Sequence, residues 1–552
     1  VRSNHLRSKT VLKATVTDYS CGRKTMQKES FENALLLAIN PILKSVIKRF
    51  DVDCEEDGSL LMNSLKDFFG ENIKLCRNCE SLNRKLANPL FEISSRLLRA
   101  DKKFMKDRLL DQEYGNAWFR GFALMVKGIK KYGIQIPFVP AGPVEVVWNF
   151  TYLCNLRCKH CYEDAGPHRL ELTTEQARMA VDELSNIAGV GLPALSFSGG
   201  EPLIRKDFFE VAAYARKKIP YLSVATNGTL LTRDNVRKLK DVGIEYVEIS
   251  LDGASKEAHE SFRMVPGCFE KTMNGIRNCV DEGLDTCIAT TFHRDNLNEV
   301  SKLTDMAEEL QVRFMHFNYI PTGRAKELTE LDLTPKERLS VLETIGKRIV
   351  GLYLKAKQEE EESGKSHIPV DRFFSTCPQF ASVVKKLAME KGEDFTVSAH
   401  YAAKKGVEAV ANFLGGCGAG RLYIALEPNG DIKPCVFFPT NEHTVLGNVL
   451  KDDFEQIWDN NPMLWSLRKR ENLETYETNG RVVGCGNCRD KYICGGCRAR
   501  SYSYFNGNLN AADIGCIDNE EIWEKLVRLP TQHSQWRRRR RRNKNNLDHS
   551  PE

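Results

Sequence analysis

Cys154-Asn-Leu-Arg-Cys158-Lys-His-Cys161 places three thiols on one short segment in a C-x3-C-x2-C pattern. Three thiolates so spaced can hold three irons of a [4Fe–4S] cube, which takes four cysteines when fully ligated. The missing ligand leaves one iron open to a further group, as a catalytic metal site requires. A structural zinc site would need a fourth ligand nearby. His160 lies inside the segment, but its neighbour Cys161 already occupies that spacing. The pattern favours a cluster over zinc. Downstream comes Ser198-Gly199-Gly200-Glu201-Pro202. Its two glycines let backbone approach a ligand closely, and its carboxylate can pair with an ammonium group.

Seven more cysteines crowd the C-terminal part: Cys417, Cys435, then Cys485-x2-Cys488-x5-Cys494-x2-Cys497, and Cys516. A zinc ribbon spaces its two C-x2-C pairs ~15–20 residues apart. Here five residues separate them, so further clusters are the better reading. Cys76-Arg-Asn-Cys79 is a lone C-x2-C; it and Cys21 and Cys54 read by default as buried or incidental thiols, with a fourth metal site as the lesser alternative. Cys268, Cys279 and Cys287 fall within barrel elements and read as core.

The elements that must position these groups follow from periodicity. Residues 1–140 read as a mainly helical domain, with Leu36, Ile39, Leu43, Val46, Ile47 and Phe50 at helical spacing. Pro137 to Pro143 is a Pro/Gly-rich break. From 144 to 334, six runs rich in β-branched and aromatic residues (144–149, 194–198, 221–226, 245–250, 285–291 and 313–319) alternate with helical stretches. One helix is readable in detail: a Thr173-x-x-Gln176 capping box, an apolar face of Ala177, Ala180, Val181, Leu184 and Ala188, and a stop at Gly189. Six such units predict an α/β fold, a partial (β/α)6 barrel of TIM type, with chemistry at the C-terminal strand ends. Residues 335–410 read as a helical linker, 412–525 as a loop-rich cysteine domain, and 526–552 as a basic tail ending in Arg537–Arg542.

In this order the motifs resemble those of the radical S-adenosylmethionine (SAM) superfamily, across residues 144–325. The resemblance implies that Cys154, Cys158 and Cys161 hold a [4Fe–4S] cluster whose open iron chelates SAM. It implies reductive cleavage of SAM to a 5′-deoxyadenosyl radical, which abstracts a hydrogen atom. His160 matches a position near the adenine. Gly199, Gly200 and Glu201 resemble the GGEP motif, and Thr226-Asn227-Gly228 the TNG segment. Ser250 and Asp252 suit a ribose diol, and Arg263 could clamp the methionine carboxylate. Tyr319 to Ala325 also resembles the family, with Ile320 a candidate for the adenine pocket.

The C-terminal cysteines resemble the SPASM extension, which holds one or two auxiliary [4Fe–4S] clusters. Carried over residue by residue, the resemblance gives one set of Cys485, Cys488, Cys494 and Cys516. It gives a second of Cys417, Cys435 and Cys497, whose missing ligand could be Cys377, a solvent or substrate group, or nothing. The last spacing departs from the common form, x2 for x3, and Cys494-Gly-Gly-Cys497-Arg498 resembles tetrapyrrole-processing relatives. Val436 stands where sulfatase-maturing relatives place a catalytic aspartate, which speaks against that activity.

Composition bounds the function. The chain has 552 residues, a formal net charge of +6 and 18 cysteines. The segment 537–552 carries +5 of that charge, so the body gives no bulk-charge case for nucleic acid or membrane binding. Val1 to Met26 is polar and basic without the apolar core of a signal peptide, and Ala34 to Ile47 is broken by Asn40-Pro41 and Lys44. Clustered cysteines then point to metal in a reducing, low-oxygen cytoplasm. The leading expectation is a maturase or oxidoreductase acting on a peptide or protein side chain, fed by a donor such as ferredoxin or flavodoxin. The alternatives are modification of a tetrapyrrole or other small cofactor precursor, and a zinc-stabilised, non-enzymatic binding module.

Overall fold

Runs of apolar residues bounded by turn signals become the strands of one large sheet. The structure is a computed structural model; it describes residues 40–56, 58–69, 71, 73–89, 91–92, 115–166, 169–364, 370–393, 395–397 and 415–527. Cys21, Leu36, Ile39 and the Arg537–Arg542 tail lie outside them.

The barrel strands are β1 (Glu145–Thr151), β2 (Ala194–Gly199), β3 (Tyr221–Thr226), β4 (Tyr246–Ser250), β5 (Asp285–Phe292) and β6 (Arg313–Asn318). They pair in parallel in sequence order, as strands joined by helical crossovers must. β1 shows how one strand divides its faces. Trp148 and Phe150 pack with Phe197 and Phe208 in the main core. The alternate positions Asn149 and Thr151 carry polar groups to the site. The capping box at Thr173 and Gln176 forms as expected, and Ala177, Ala180, Val181 and Leu184 are buried. The helix stops at Ser185, however, and Ala188 sits beyond it at φ 52. Asn186 and the short turn after it end the helix one turn earlier than the apolar spacing implied.

Four further strands extend the sheet. β7 (Phe373–Ser375) pairs in parallel with β6, so residues 335–410 are more than helical linking material. Three residues are too short a run to show a strand period. β8 (Tyr423–Leu426) pairs in parallel with β1, and β9 (Asp431–Lys433) and β10 (Gly447–Asn448) follow antiparallel. The order is β10-β9-β8-β1-β2-β3-β4-β5-β6-β7. The barrel is thus partial, and the extension completes its first edge.

Before the barrel, helices α1 (Asn40–Phe50), α2 (Leu60–Phe69), α3 (Arg77–Leu82) and α4 (Gly115–Tyr132) enclose a separate small core around Phe50, Leu61 and Phe119. Among the described residues no helix is long and apolar enough to cross a membrane.

Candidate active site

The loop after β1 carries the three thiols, and groups at the β2, β3 and β6 ends hold it. Gly200 N–H donates to Thr151 O and Glu201 N–H to Leu153 O, both at 2.7 Å. A Cβ on Gly200 would stand 2.0 Å from Leu153 O, and one on Gly199 2.7 Å from Thr151 O. These glycines therefore allow backbone-to-backbone packing beside Cys154.

Glu201 also has a structural role. It is fully buried, and both oxygens are engaged. Oε1 accepts from Thr226 Oγ1 (2.8 Å) and Leu203 N–H (3.3 Å), and Oε2 from Asn227 N–H (2.8 Å). The carboxylate is a strut between the β2 and β3 ends. Burial raises its pKa to about 7, against the lowering pull of those hydrogen bonds.

Each thiol receives an N–H. Leu156 N–H and Asn227 Nδ2 point to Cys154 Sγ (3.4 and 4.0 Å), Arg263 Nη1 to Cys158 Sγ (3.5 Å), and Ala165 N–H to Cys161 Sγ (3.4 Å). Burial pushes Cys154 up to about 12 and raises Cys161. Such thiols stay protonated unless a cation draws them into coordination. Donors aimed at the sulfurs, with Leu156 and Cys268 packed around Cys158, fit a bound cluster that carries negative charge on its thiolates.

Asp252 and Arg263, expected on ribose and carboxylate, form a buried ion pair at 2.7 Å. Burial works against both charges, but each holds the other ionised: the guanidinium keeps Asp252 below its usual range, and Asp252 raises Arg263. Arg263 Nε remains without a hydrogen-bond partner, as does His160 Nδ1. Those orphan atoms beside the thiols suit a polar ligand such as SAM. His160 stacks on Phe262 at 4.5 Å, and Phe262 stacks on His293 at 3.6 Å. Burial lowers His160 to about 3, so the ring is neutral. Ser250 is half-buried at the β4 end. Ile320 packs with Cys435 and Cys497, at the junction with the extension.

The sequence reading singled out the segment that holds Arg324 without giving that residue a role, and it missed a second set altogether. Arg324 clamps the thiol loop from the β6 end, donating to Cys158 O (2.9 Å) and Ala165 O (2.6 Å). Gly323 is forced there, since a Cβ would lie 2.3 Å from Cys161 O. The second set is a buried polar bridge to the extension. Asn149 Nδ2 donates to Glu163 (2.8 Å) and Glu427 (3.0 Å), and Lys433 pairs with Glu427 at 2.8 Å. Burial, and then Glu427, push Glu163 well above the carboxylate range.

In the extension, Cys417, Cys435 and Cys497 share one apolar cluster. Burial, and then the neighbouring Cys516 and Cys485, raise the Cys494 thiol; burial, and then Asp490 and Cys485, raise Cys488. Cys377 is buried and also acts on Cys494. Arginines line these thiols. Arg498 Nη2 lies 3.5 Å from Cys485 Sγ, Arg470 donates to Cys417 O (3.2 Å), and Arg500 pairs with Asp513 (2.9 Å). Arg470 Nε has no hydrogen-bond partner. Buried guanidinium groups need nearby anions, and thiolate-ligated clusters supply them. Gly495 and Gly496 both have φ +68, and a Cβ on either would meet Arg470 at 2.1 Å or Arg498 at 2.4 Å. The shortened Cys-Gly-Gly-Cys spacing folds over those two side chains.

Comparison with known proteins agrees with this architecture. Residues 148–307 match the model of the radical SAM superfamily, and 417–498 that of an iron–sulfur cluster-binding domain, SPASM. The chain is 33% identical over 366 residues to an AdoMet-dependent heme synthase of Methanosarcina barkeri, covering 66% of this chain and 93% of that protein. It is 26% identical over 408 residues to the mycofactocin maturase MftC of Mycobacterium tuberculosis, covering 72% and 90%. The fold resembles the crystal structure of Streptococcus suis SuiB, with TM-score 0.52 and 15% identity over 82% of this chain and 92% of that one. It is an enzyme that uses a [4Fe–4S] cluster, SAM and auxiliary iron–sulfur clusters, which sets aside a zinc-stabilised binding module. With a heme synthase matched over nearly its whole length and both domain models met in order, the chain belongs to the radical SAM superfamily, in the branch with a SPASM extension.

Proposed function

We propose that the enzyme modifies a tetrapyrrole precursor by hydrogen-atom abstraction. The observation that carries this reading is the 33% identity to a heme synthase over 93% of its length. Support comes from the related pre-heme d1 synthase of Dinoroseobacter shibae (29% identical, covering 67% of this chain and 85% of that protein). The Cys494-Gly-Gly-Cys497-Arg498 segment points the same way. The peptide substrate favoured from sequence becomes the second reading. It is supported by the matched mycofactocin maturase and by the helical unit with its own core ahead of the barrel.

Cys154, Cys158 and Cys161 would hold the catalytic cluster. When bound and reduced, that cluster supplies the electron that splits SAM into methionine and a 5′-deoxyadenosyl radical. The chain's own residues set the stage. Glu201 and Gly200 fix the loop, and Arg324 clamps it from the far side. Arg263 presents a guanidinium already held by Asp252. The Asn149, Glu163 and Glu427 bridge seals the barrel against the extension, keeping water from a reactive site.

The test is anaerobic turnover with SAM and dithionite, offering Fe-coproporphyrin III and other carboxylate-bearing tetrapyrroles. A mass change in a tetrapyrrole, in step with 5′-deoxyadenosine formed, is expected. SAM cleavage that alters peptide substrates and leaves every tetrapyrrole unchanged would overturn the reading in favour of the second.

A further inference from the structure

Three cysteines outside the radical machinery converge in the N-terminal unit. Cys54 lies on a two-residue strand that pairs with Gly58–Ser59 in a tight hairpin. Cys76 caps helix α3 and Cys79 stands in its first turn. Their sulfurs all lie within 4.8 Å of one another, and Cys54 Sγ is 3.8 Å from Cys76 Sγ. Zinc–sulfur bonds of about 2.3 Å in a tetrahedron put neighbouring sulfurs about 3.8 Å apart. The thiolates of a [4Fe–4S] cube radiate from separate irons and stand farther apart. Cys79 N–H also points at Cys76 Sγ, at 3.5 Å.

We propose that Cys54, Cys76 and Cys79 bind a single tetrahedral metal ion of the zinc class, which staples the hairpin to helix α3. Among the described residues these three sulfurs are the ligands brought together there. Cys79 is buried while Cys54 and Cys76 are half-buried, so the ion has a route in and a hydrophobic backing. The need for a staple is physical. Among the described residues, the core of the N-terminal unit is drawn from helices α1 to α4 and a minimal hairpin, and small units gain much from a cross-link. Metal here would hold two chain segments that apolar contact alone ties weakly. The site uses none of the cysteines assigned to the iron–sulfur clusters.

The experiment takes the full chain, purified anaerobically with its clusters, and measures zinc and iron by mass spectrometry. About one zinc per chain is expected beyond the iron. Cobalt(II) exchanged into that site should show the strong thiolate charge-transfer and visible bands of tetrahedral coordination. The Cys54→Ser/Cys76→Ser/Cys79→Ser variant should lose the zinc while keeping its iron and SAM cleavage. Cys279→Ser, a change in the barrel core, should keep both metals. Zinc retained by the triple variant overturns the proposal, as does iron lost in place of zinc. Should the triple variant fail to fold, the wild-type measurements decide. A tetrahedral cobalt–thiolate spectrum supports the site, and a zinc-free protein without that spectrum refutes it.

Discussion

Gly200→Ala tests whether backbone packing holds the catalytic loop. The added Cβ would stand 2.0 Å from Leu153 O, whereas ordinary contact begins at 3.4 Å. The β2 end must therefore retreat by about 1.4 Å, the difference between those two distances. The hydrogen bonds from Gly200 N–H to Thr151 O and from Glu201 N–H to Leu153 O, each 2.7 Å now, would not survive that movement. Two backbone bonds at about 1 kcal/mol each, with about 1–3 kcal/mol of overpacking, give a local cost of about 3–5 kcal/mol. Leu153 adjoins Cys154, so the displacement reaches a cluster ligand directly. A misplacement of about 1 Å at a reacting centre costs on the order of 100-fold in rate. The assay is 5′-deoxyadenosine production from SAM with dithionite, alongside iron content. A loss near 100-fold is expected, with the auxiliary iron retained. Gly351→Ala is the control: it sits in a long helix, Pro335–Ser363, and a Cβ there would meet nothing within 4 Å. It should leave activity unchanged and stabilise by about 1 kcal/mol. Activity of Gly200→Ala within threefold of wild type would refute the packing argument.

Replacing Cys154, Cys158 and Cys161 together with alanine should abolish SAM cleavage while leaving roughly four to eight irons per chain in the extension, read by iron analysis. Glu201→Gln should change the pH dependence of stability. Burial raises the folded pKa of Glu201 to about 7 from 4.5. Its contribution to stability is thus full below about pH 4.5 and is lost as pH rises through about 7, a swing of about 3 kcal/mol. Denaturant unfolding should show the variant gaining on wild type by up to that amount between pH 5 and 8; a pH-independent difference would refute the assignment. Arg500→Met leaves Asp513 buried without its 2.9 Å partner. It should destabilise by about 3–5 kcal/mol and release auxiliary iron before catalytic iron on warming, because Asp513 also accepts Cys497 N–H at 2.7 Å.

The barrel was legible because local chemistry and global fold agree there. Val247 and Ile249 alternate with half-buried neighbours on β4, and the Thr173 capping box marks a helix start from four residues alone. What escaped was non-local. β7 has too few residues to declare a period, and its place is set by pairing with β6. β8 lies far along the chain from β1, and only the parallel register Tyr423–Leu426 against Glu145–Trp148 makes them neighbours. Buried charge also escaped. Arginine is ordinarily read as surface, yet Arg470, Arg498 and Arg500 are buried around the extension's thiols. Glu201 was visible as a candidate, but its role as a strut depends on Thr226 and Asn227 arriving from another strand.

That same register changes how the two halves of the enzyme relate. A cluster domain on a flexible linker would set its distance from the catalytic loop by chain length. Here Val144 N–H donates to Leu422 O at 2.7 Å, and β8 continues the sheet from β1. β1 leads directly into the Cys154 loop, while Cys417 and Cys435 flank β8 and β9 in sequence. The spacing between the two thiol groups is therefore fixed by sheet geometry. Packing reinforces it: Tyr162, next to Cys161, meets Phe437 with ring centroids 5.3 Å apart, in the cluster that also contains Cys435 and Ile320. A substrate held between barrel and extension would meet two rigidly related sites. The preorganisation comes from hydrogen bonds and core contacts already made on folding, and does not have to be drawn from the binding of substrate.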